Sequence, residues 1–599
     1  MMIDRRFLAL IGTCLAVAIS GCGAKEAGVP GAGASVAYVQ TLGGSDANDG
    51  GAAHPFRTIS RCASTAKPGQ TCAIHAGVYR ETVIPNNGVA IRPDGTGTVW
   101  ILSTVRVTHW KRASGAIFSA RIGLNPKLAA NQVFILATEP KPLHEAQWPP
   151  ASDDPLHPNW AIAAAGTSEK TVVDPKLPNV DLTGAVANMW SGSDPWTHVT
   201  GPITSSGGGS FTFVPDGDLC PYFCSMRGGF YYVTGARGLL RAPGEWSYDA
   251  TSHVLYLWAP KSADPNTLDI EVKQRSLLVD LSNRSNVTIA NVSTAGGGIA
   301  MNEHSRHNVL DGITALYPSQ VTHVSGKYSN AYFSFSRYPL DSGLVLDGAG
   351  NTLENSTVAF SATNGVLIYG SGNTVTNSLI HDVDSLGDYS AGVISMSDGN
   401  SIEHDTIYNT GRSTITDASN IKVDIGFNNL YNVGLVSADN GVMYFGGRAP
   451  HEPYRIHNNW VHAEIDPRKI VPPSNTCPCP WGGIYIDGGA VGATIDHNVV
   501  WHSYPGIFLH GGLSFQASRH DHVNDNTLPD PRQPSIWLLA LDGYAGSEAE
   551  NNRIATPVSL DKTTRDFPQK NNGPHAPGAG TFPQPGCSLP GCSSAGPPL

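Results

Sequence analysis

The chain has 599 residues, a formal net charge of −11, 66 glycines and only 15% charged residues. The charge has the wrong sign for a nucleic-acid partner. Abundant glycine with few helix-forming charges points to an all-β protein of many short strands, long enough for one large core and an accessory domain.

Residues 1–22 read as a targeting segment. Arg5 and Arg6 precede a mostly apolar run, Phe7 to Ala18, too short to span a bilayer. Ile19-Ser20-Gly21-Cys22 resembles a bacterial lipobox, which implies cleavage before Cys22 and lipidation there. The expected location is outside the cytoplasm, lipid-anchored to the outer membrane or cell surface, otherwise periplasmic or secreted. Residues 23–36, rich in Gly and Ala, form a tether. Beyond Cys14 and Cys22 the cysteines fall in sequence pairs. Export permits the disulfides Cys62–Cys72, Cys220–Cys224, Cys587–Cys592 and, less comfortably, Cys477–Cys479.

Residues 37–106 run through Tyr38-Val39, an Asp/Gly stretch at 43–50, Pro55–Ile59, Pro68-Gly69 and Gly77–Glu81, in the order strand, turn, capping helix and first coil. This order resembles the opening of right-handed parallel β-helix proteins, whose exposed end needs a cap. From 107 to 280 Trp, Pro and Gly interrupt the pattern, among strand-like runs such as Phe211–Val214 and Val254–Trp258. A compact β-rich, sandwich-like insert is expected there, because structureless runs of this length are rare.

Residues 281–556 are the main solenoid. A six-residue template (apolar, any, Asn, His or other, Asn/Ser/Asp, any, apolar) starts at Leu353, Val375, Ile402, Ile425, Ile456, Ile495 and Val523. The base spacing is 22 residues, and the excess in longer coils is loop. Ser356, Ser378, Asp405, Asn428, Asn459, Asn498 and Asn526 then form one ladder of structural turn residues. Roughly ten coils are expected. Residues 557–599, rich in Pro and Gly, read as a tail.

Three strands within the solenoid repeat one pattern: Met443–Arg448, Ile484–Gly489 and Ile507–Gly512. Alternation sends Met443, Phe445, Ile484, Ile486, Ile507 and Leu509 inward. The outward columns are Tyr444–Tyr485–Phe508 and Gly446–Asp487–His510, with Arg448 starting a third. Coils stack ~4.8 Å apart, so His510 lies beside Asp487. The aromatic column offers rings to a sugar, and Gly446 leaves room for one.

Asp439–Tyr444 followed by Trp481–Gly489 resembles the paired motifs of parallel β-helix glycoside hydrolases of the fucosidase/xylanase-like group. The likeness covers roughly 37–530. It implies a right-handed, pectate-lyase-like β-helix with an inserted β-sandwich, and a catalytic carboxylate pair at Asp439 and Asp487. A single Asp precedes Gly488-Gly489, so the neighbouring second carboxylate of the common motif is missing. Extended backbone puts Asp439 ~20 Å from the column of Asp487. It reaches only if Asn440-Gly441 turns the chain sharply.

Three functions fit these residues. One is glycoside hydrolysis through Asp487 and Asp439, with His510 orienting Asp487 or moving a proton, Tyr444, Tyr485 and Phe508 lining the cleft and Arg448 binding sugar. The second is β-elimination or epimerisation of a uronate polymer, with His510, a Tyr or Lys422 as base and Arg448 on the carboxylate. The third is glycan binding without catalysis. Hydrolysis calls for no cofactor, and a lyase of this fold calls for Ca²⁺. The expected partner is a plant or microbial polysaccharide, met by a monomer held to the membrane by its lipid.

Overall fold

The computed structural model describes residues 35–592, apart from 96, 125–132, 193–197, 216–227, 321–341, 388, 418–421, 447–454, 464–480, 488–491, 512–518, 531–533, 541–543, 561–564 and 581–582. Three parallel sheets wind around one core. They contain 14, 12 and 11 strands, each strand pairing with its counterpart one coil along. Leu353, Val375, Ile402, Ile425, Ile456, Ile495 and Val523 stack in register in the 14-stranded sheet. All belong to one continuous core that runs the length of the solenoid. Apolar template positions thus become a column because each coil repeats the last.

The ladder forms through side chains. The backbone N–H of Ser378 donates to Asp405 Oδ1 at 2.7 Å, that of Asp405 to Asn428 Oδ1 at 2.8 Å and that of Asn428 to Asn459 Oδ1 at 2.9 Å. The chain of bonds continues through Asn498, Asn526 and Asn552 to Asn572. A buried turn N–H has no strand partner, so the next coil's amide supplies the acceptor. The left-handed backbone lies one residue earlier, at Asn355, Asn377, His404, Phe427, Asn458, His497 and Asp525. A second ladder, Asn308–Asn351–Asn373–Asn400, does the same at another corner. The spacing template had missed it.

The helix Ile59–Thr65 caps the amino-terminal end, burying Ile59, Cys62 and Ala63. Thr58 and Glu81 accept from its first N–H groups, and Cys62 is bonded to Cys72. The insert consists of mainly antiparallel strands that run from Thr104–Arg106 to Ile270–Lys273, with His144–Glu145 pairing in parallel to Glu245–Asp249, after which Leu277–Asp280 starts the 11-stranded sheet. The insert touches the solenoid where Leu156, Trp190 and Phe230 pack on Leu435, Val436 and Ala438.

The reading of 557–599 as a tail needs correction. Ser559–Leu560 and Gln569–Lys570 add strands to two sheets. Ala579 then packs on Trp460 and Trp501, and Cys587, bonded to Cys592, lies against Thr406. Two-residue strands between Pro and Gly leave no alternation to read. His381 and His462 stack with Tyr408, Tyr431 and Trp501 in a ladder on the 12-stranded sheet, which gives them a structural role. Cys22, the pairs Cys220–Cys224 and Cys477–Cys479, and nearly all of the 463–481 loop lie outside the described residues.

Candidate active site

The site occupies consecutive strands of the 11-stranded sheet: Ser413–Asp417, Asn440–Gly446, Trp481–Asp487, Ile507–Gly511 and Ile536–Ala540. Their register places Tyr444, Tyr485, Phe508 and Trp537 in one column and Gly446, Asp487, His510 and Leu539 in the next. Ile484 and Ile486 are fully buried, which leaves Asp487 facing outward with its side chain 24% exposed.

Both Asp487 oxygens are engaged. Tyr444 Oη donates to Oδ2 at 2.7 Å, and His510 Nδ1 shares a proton with Oδ1 at 2.7 Å. Stacking alone sets the second contact. The first needs the Tyr444 ring to fold over Gly446, where an added Cβ would sit 3.4 Å from Tyr444 Cε1. The space above Gly446 therefore holds a phenol and not a sugar ring.

The aromatic column also differs from the open floor expected. Tyr444 is 9% exposed, Tyr485 3% and Phe508 2%. Tyr444 meets Tyr485 edge-on, Phe508 lies against Tyr485, and Trp537 stacks on Phe508 at 4.8 Å. Ring faces that a ligand would use are given to one another, as in other cross-strand aromatic ladders.

Asp439 does come back towards this cluster. Val442 and Met443 both enter the core, so the in–out alternation breaks between them and the strand bends. A Cβ on Gly441 would lie 2.3 Å from Met443 O and 2.9 Å from Tyr485 Cβ, so only glycine fits the bend. Asp439 itself has φ 53°. Burial pushes Tyr485 well above the usual tyrosine range, and the charge of Asp439 adds more to that shift than the charge of Asp487. Tyr444 is raised by burial first, then by Asp487, Tyr389 and Tyr485, with Asp439 after them. The charges of both aspartates thus act on the same pair of phenols.

Sequence reasoning missed the cation of this site. Arg412 is 2% exposed. Its guanidinium donates to Asp439 O at 2.7 Å, Ala438 O at 3.3 Å and Ser437 Oγ at 3.4 Å. It lies 3.9 Å from the Tyr389 ring centre and 5.2 Å from that of Tyr444. Burial works against its charge, but Tyr389, Tyr444, Asp439 and Asp384 outweigh that effect. The only sequence signal is a lone Arg next to a run that otherwise reads as a buried strand, Ser413–Asp417. Arg412→Met removes the charge and strands those carbonyls, and is expected to cost about 3 kcal/mol in urea unfolding. Arg412→Lys should lose less.

Lys422 is exposed and leads into Val423–Gly426 of the 14-stranded sheet, away from this cluster. Arg448 lies outside the described residues. Among the described residues no group of His, Cys, Asp and Glu has the spacing of a metal site.

Comparison with known proteins bears on the fold. Residues 311–514 match the family described as right handed beta helix region. A solved glycoside hydrolase superposes with a TM-score of 0.56 at 14% identity, covering 91% of this chain and 97% of its own. The complex of XylC with xylose gives 0.46 at 13% identity, covering 90% of this chain and 86% of its own. A rhamnogalacturonan lyase gives 0.36 at 9% identity, covering 90% and 87%. No curated protein matches the sequence. The fold is thus a right-handed parallel β-helix with an insert, shared along nearly its whole length with a glycoside hydrolase structure.

Proposed function

We propose that the protein is an exported glycoside hydrolase acting on a plant or microbial polysaccharide, with Asp487 as nucleophile or base and Asp439 as proton donor. The observation that carries this reading is the pair of contacts on Asp487, from Tyr444 Oη at 2.7 Å and His510 Nδ1 at 2.7 Å, in a cluster on whose phenols the charge of Asp439 also acts. Two donors aimed at the oxygens of Asp487 suit a group that attacks or takes a proton. The fold shared with a solved glycoside hydrolase supports the same reading.

β-Elimination is the weaker reading. Its base would have to be His510, which is already bonded to Asp487, a tyrosine made a poor proton acceptor by burial and neighbouring charge, or Lys422, which leads into another sheet. Incubation with a panel of neutral and uronate-containing polysaccharides decides between them. New reducing ends without the ultraviolet absorbance of an unsaturated uronide are expected. Both signals together would mean a lyase.

The lipobox-like Ile19–Cys22 places this chemistry on a membrane surface in the same proposal. Cys22→Ala is expected to abolish acylation and move the protein out of the membrane fraction. Membrane partition unchanged by that substitution would rule the anchor out.

A further inference from the structure

The sheet of the insert that contains Val186–Trp190, His198–Gly207 and Phe230–Thr234 has two unlike faces. Ala187, Met189, Val199, Tyr231 and Val233 point into the insert's own core. The register puts Trp190 opposite His198 and Asn188 opposite Tyr232 on the other face, which Thr234 shares. That face is turned towards the solenoid, and Trp190 and Phe230 pack there on Leu435–Ala438. The Leu435–Ala438 segment runs straight into Asp439, and Ala438 O accepts from Arg412. One short segment separates this face from the candidate active site.

Buried polar groups without partners are rare, yet they gather here. Asn188 is 0% exposed and neither atom of its amide makes a hydrogen bond. Trp190 Nε1, His198 Nε2, Thr234 Oγ1 and Glu145 Oε2 are buried without a partner as well. Glu145 belongs to the same group: its Oε1 lies 3.2 Å from the Cβ position of Gly235, the residue after Thr234.

We propose that this face of the insert is a binding subsite for an uncharged sugar unit, exposed when Trp160 and Leu435–Ala438 move off it. The inference rests on the polysaccharide reading of the neighbouring site. Asn188 and Trp190 bring N–H donors, Asn188 and His198 bring acceptors, and Thr234 brings a hydroxyl that does both. Trp190, Phe230 and Tyr232, the rings that Trp160 covers, supply the apolar surface. Donors, acceptors and rings in one place match a polyol with an apolar C–H face. The set bears no charge at neutral pH. Burial pushes Glu145 up to about 8 and His198 down to about 3. None of these residues is a cation that would meet a uronate carboxylate.

The test uses the full chain carrying Asp487→Asn, so that turnover does not consume the ligand. Xylose, glucose, galactose and arabinose, and the corresponding glucuronate and galacturonate, are titrated by calorimetry and tryptophan fluorescence. Neutral sugars are tested up to ~100 mM, well above the ~1 mM Kd of a weak single-sugar site. At least one neutral sugar should bind, and uronates at least ~10-fold more weakly, a difference of about 1.4 kcal/mol. Adding Asn188→Leu should abolish binding and raise Tm, since an unpartnered amide gives way to an apolar group of similar volume. Raised Tm with unchanged affinity would make these groups a packing defect and overturn the subsite, as would equal binding of uronates or no binding of any neutral sugar. A wild-type chain that binds the neutral sugar but releases no reducing ends would overturn the hydrolase reading and leave the subsite standing.

Discussion

Asp487→Asn is expected to lower kcat on a cleaved polysaccharide by at least ~10³-fold while leaving the fold intact. The amide keeps the size of the carboxyl, and its oxygen can still accept from Tyr444 Oη, now 2.7 Å away. Its nitrogen can donate to His510 Nδ1 if the ring changes tautomer. What it loses is the ability to attack or to accept a proton. Tyr444→Phe removes one of the two hydrogen bonds and should cost less, ~10–100-fold. Asp439→Asn should hurt substrates with poor leaving groups most, because only those need protonation of the departing oxygen. Steady-state kinetics on activated and natural substrates, with unfolding midpoints measured in parallel, separates these effects. Wild-type turnover in Asp487→Asn would end the hydrolase assignment at this site.

Asp405→Asn is expected to stabilise the protein, and more so at higher pH. Asp405 is the acid in a ladder otherwise made of Asn and Ser. It is fully buried, one of its oxygens lacks a partner, and burial pushes its pKa well above the usual carboxylate range. Asp521, which accepts from Ala493 N in the turn at the start of another coil, is pushed up to about 8 by the same cause. For an acid with a raised folded pKa the sign is fixed. Both states are protonated below the unfolded value near 4, and there the contribution is complete. As pH rises the unfolded chain ionises first, so stability falls until the folded pKa is passed. The wild-type unfolding free energy should decline between about pH 4 and pH 8. Asn at 405 cannot ionise, and its Nδ2 can reach Asn428 Oδ1 as the other ladder amides reach theirs. A gain that is largest at pH 8 and shrinks towards pH 4 is expected from urea midpoints. A pH-independent difference, or a loss of stability, would show that Asp405 is ionised and partnered in the folded chain.

The coil was legible because a solenoid writes its geometry into sequence at short range. Leu353 through Val523 recur near one base spacing, and the following Asn, Ser or Asp marks the buried turn. Asp487 beside His510 was legible for the same reason, since residues at equal template positions become neighbours one coil apart. Arg412, Tyr389 and Trp537 were not, because nothing in their own segments distinguishes them from the structural residues around them. The short strands after 557 also escaped, lying between Pro and Gly without alternation.

By itself the sequence determined which residues face the core and which share a column, because a periodic chain has one register that buries its apolar set. The tertiary structure alone decided what the outward residues do. Arg412 holds the Asp439 carbonyl beside the tight bend at Gly441, Gly446 lets Tyr444 fold onto Asp487, and the insert comes to rest on the segment before Asp439. Each depends on a break in periodicity or a contact between distant segments. Neither leaves a mark in the local pattern of apolar and polar residues.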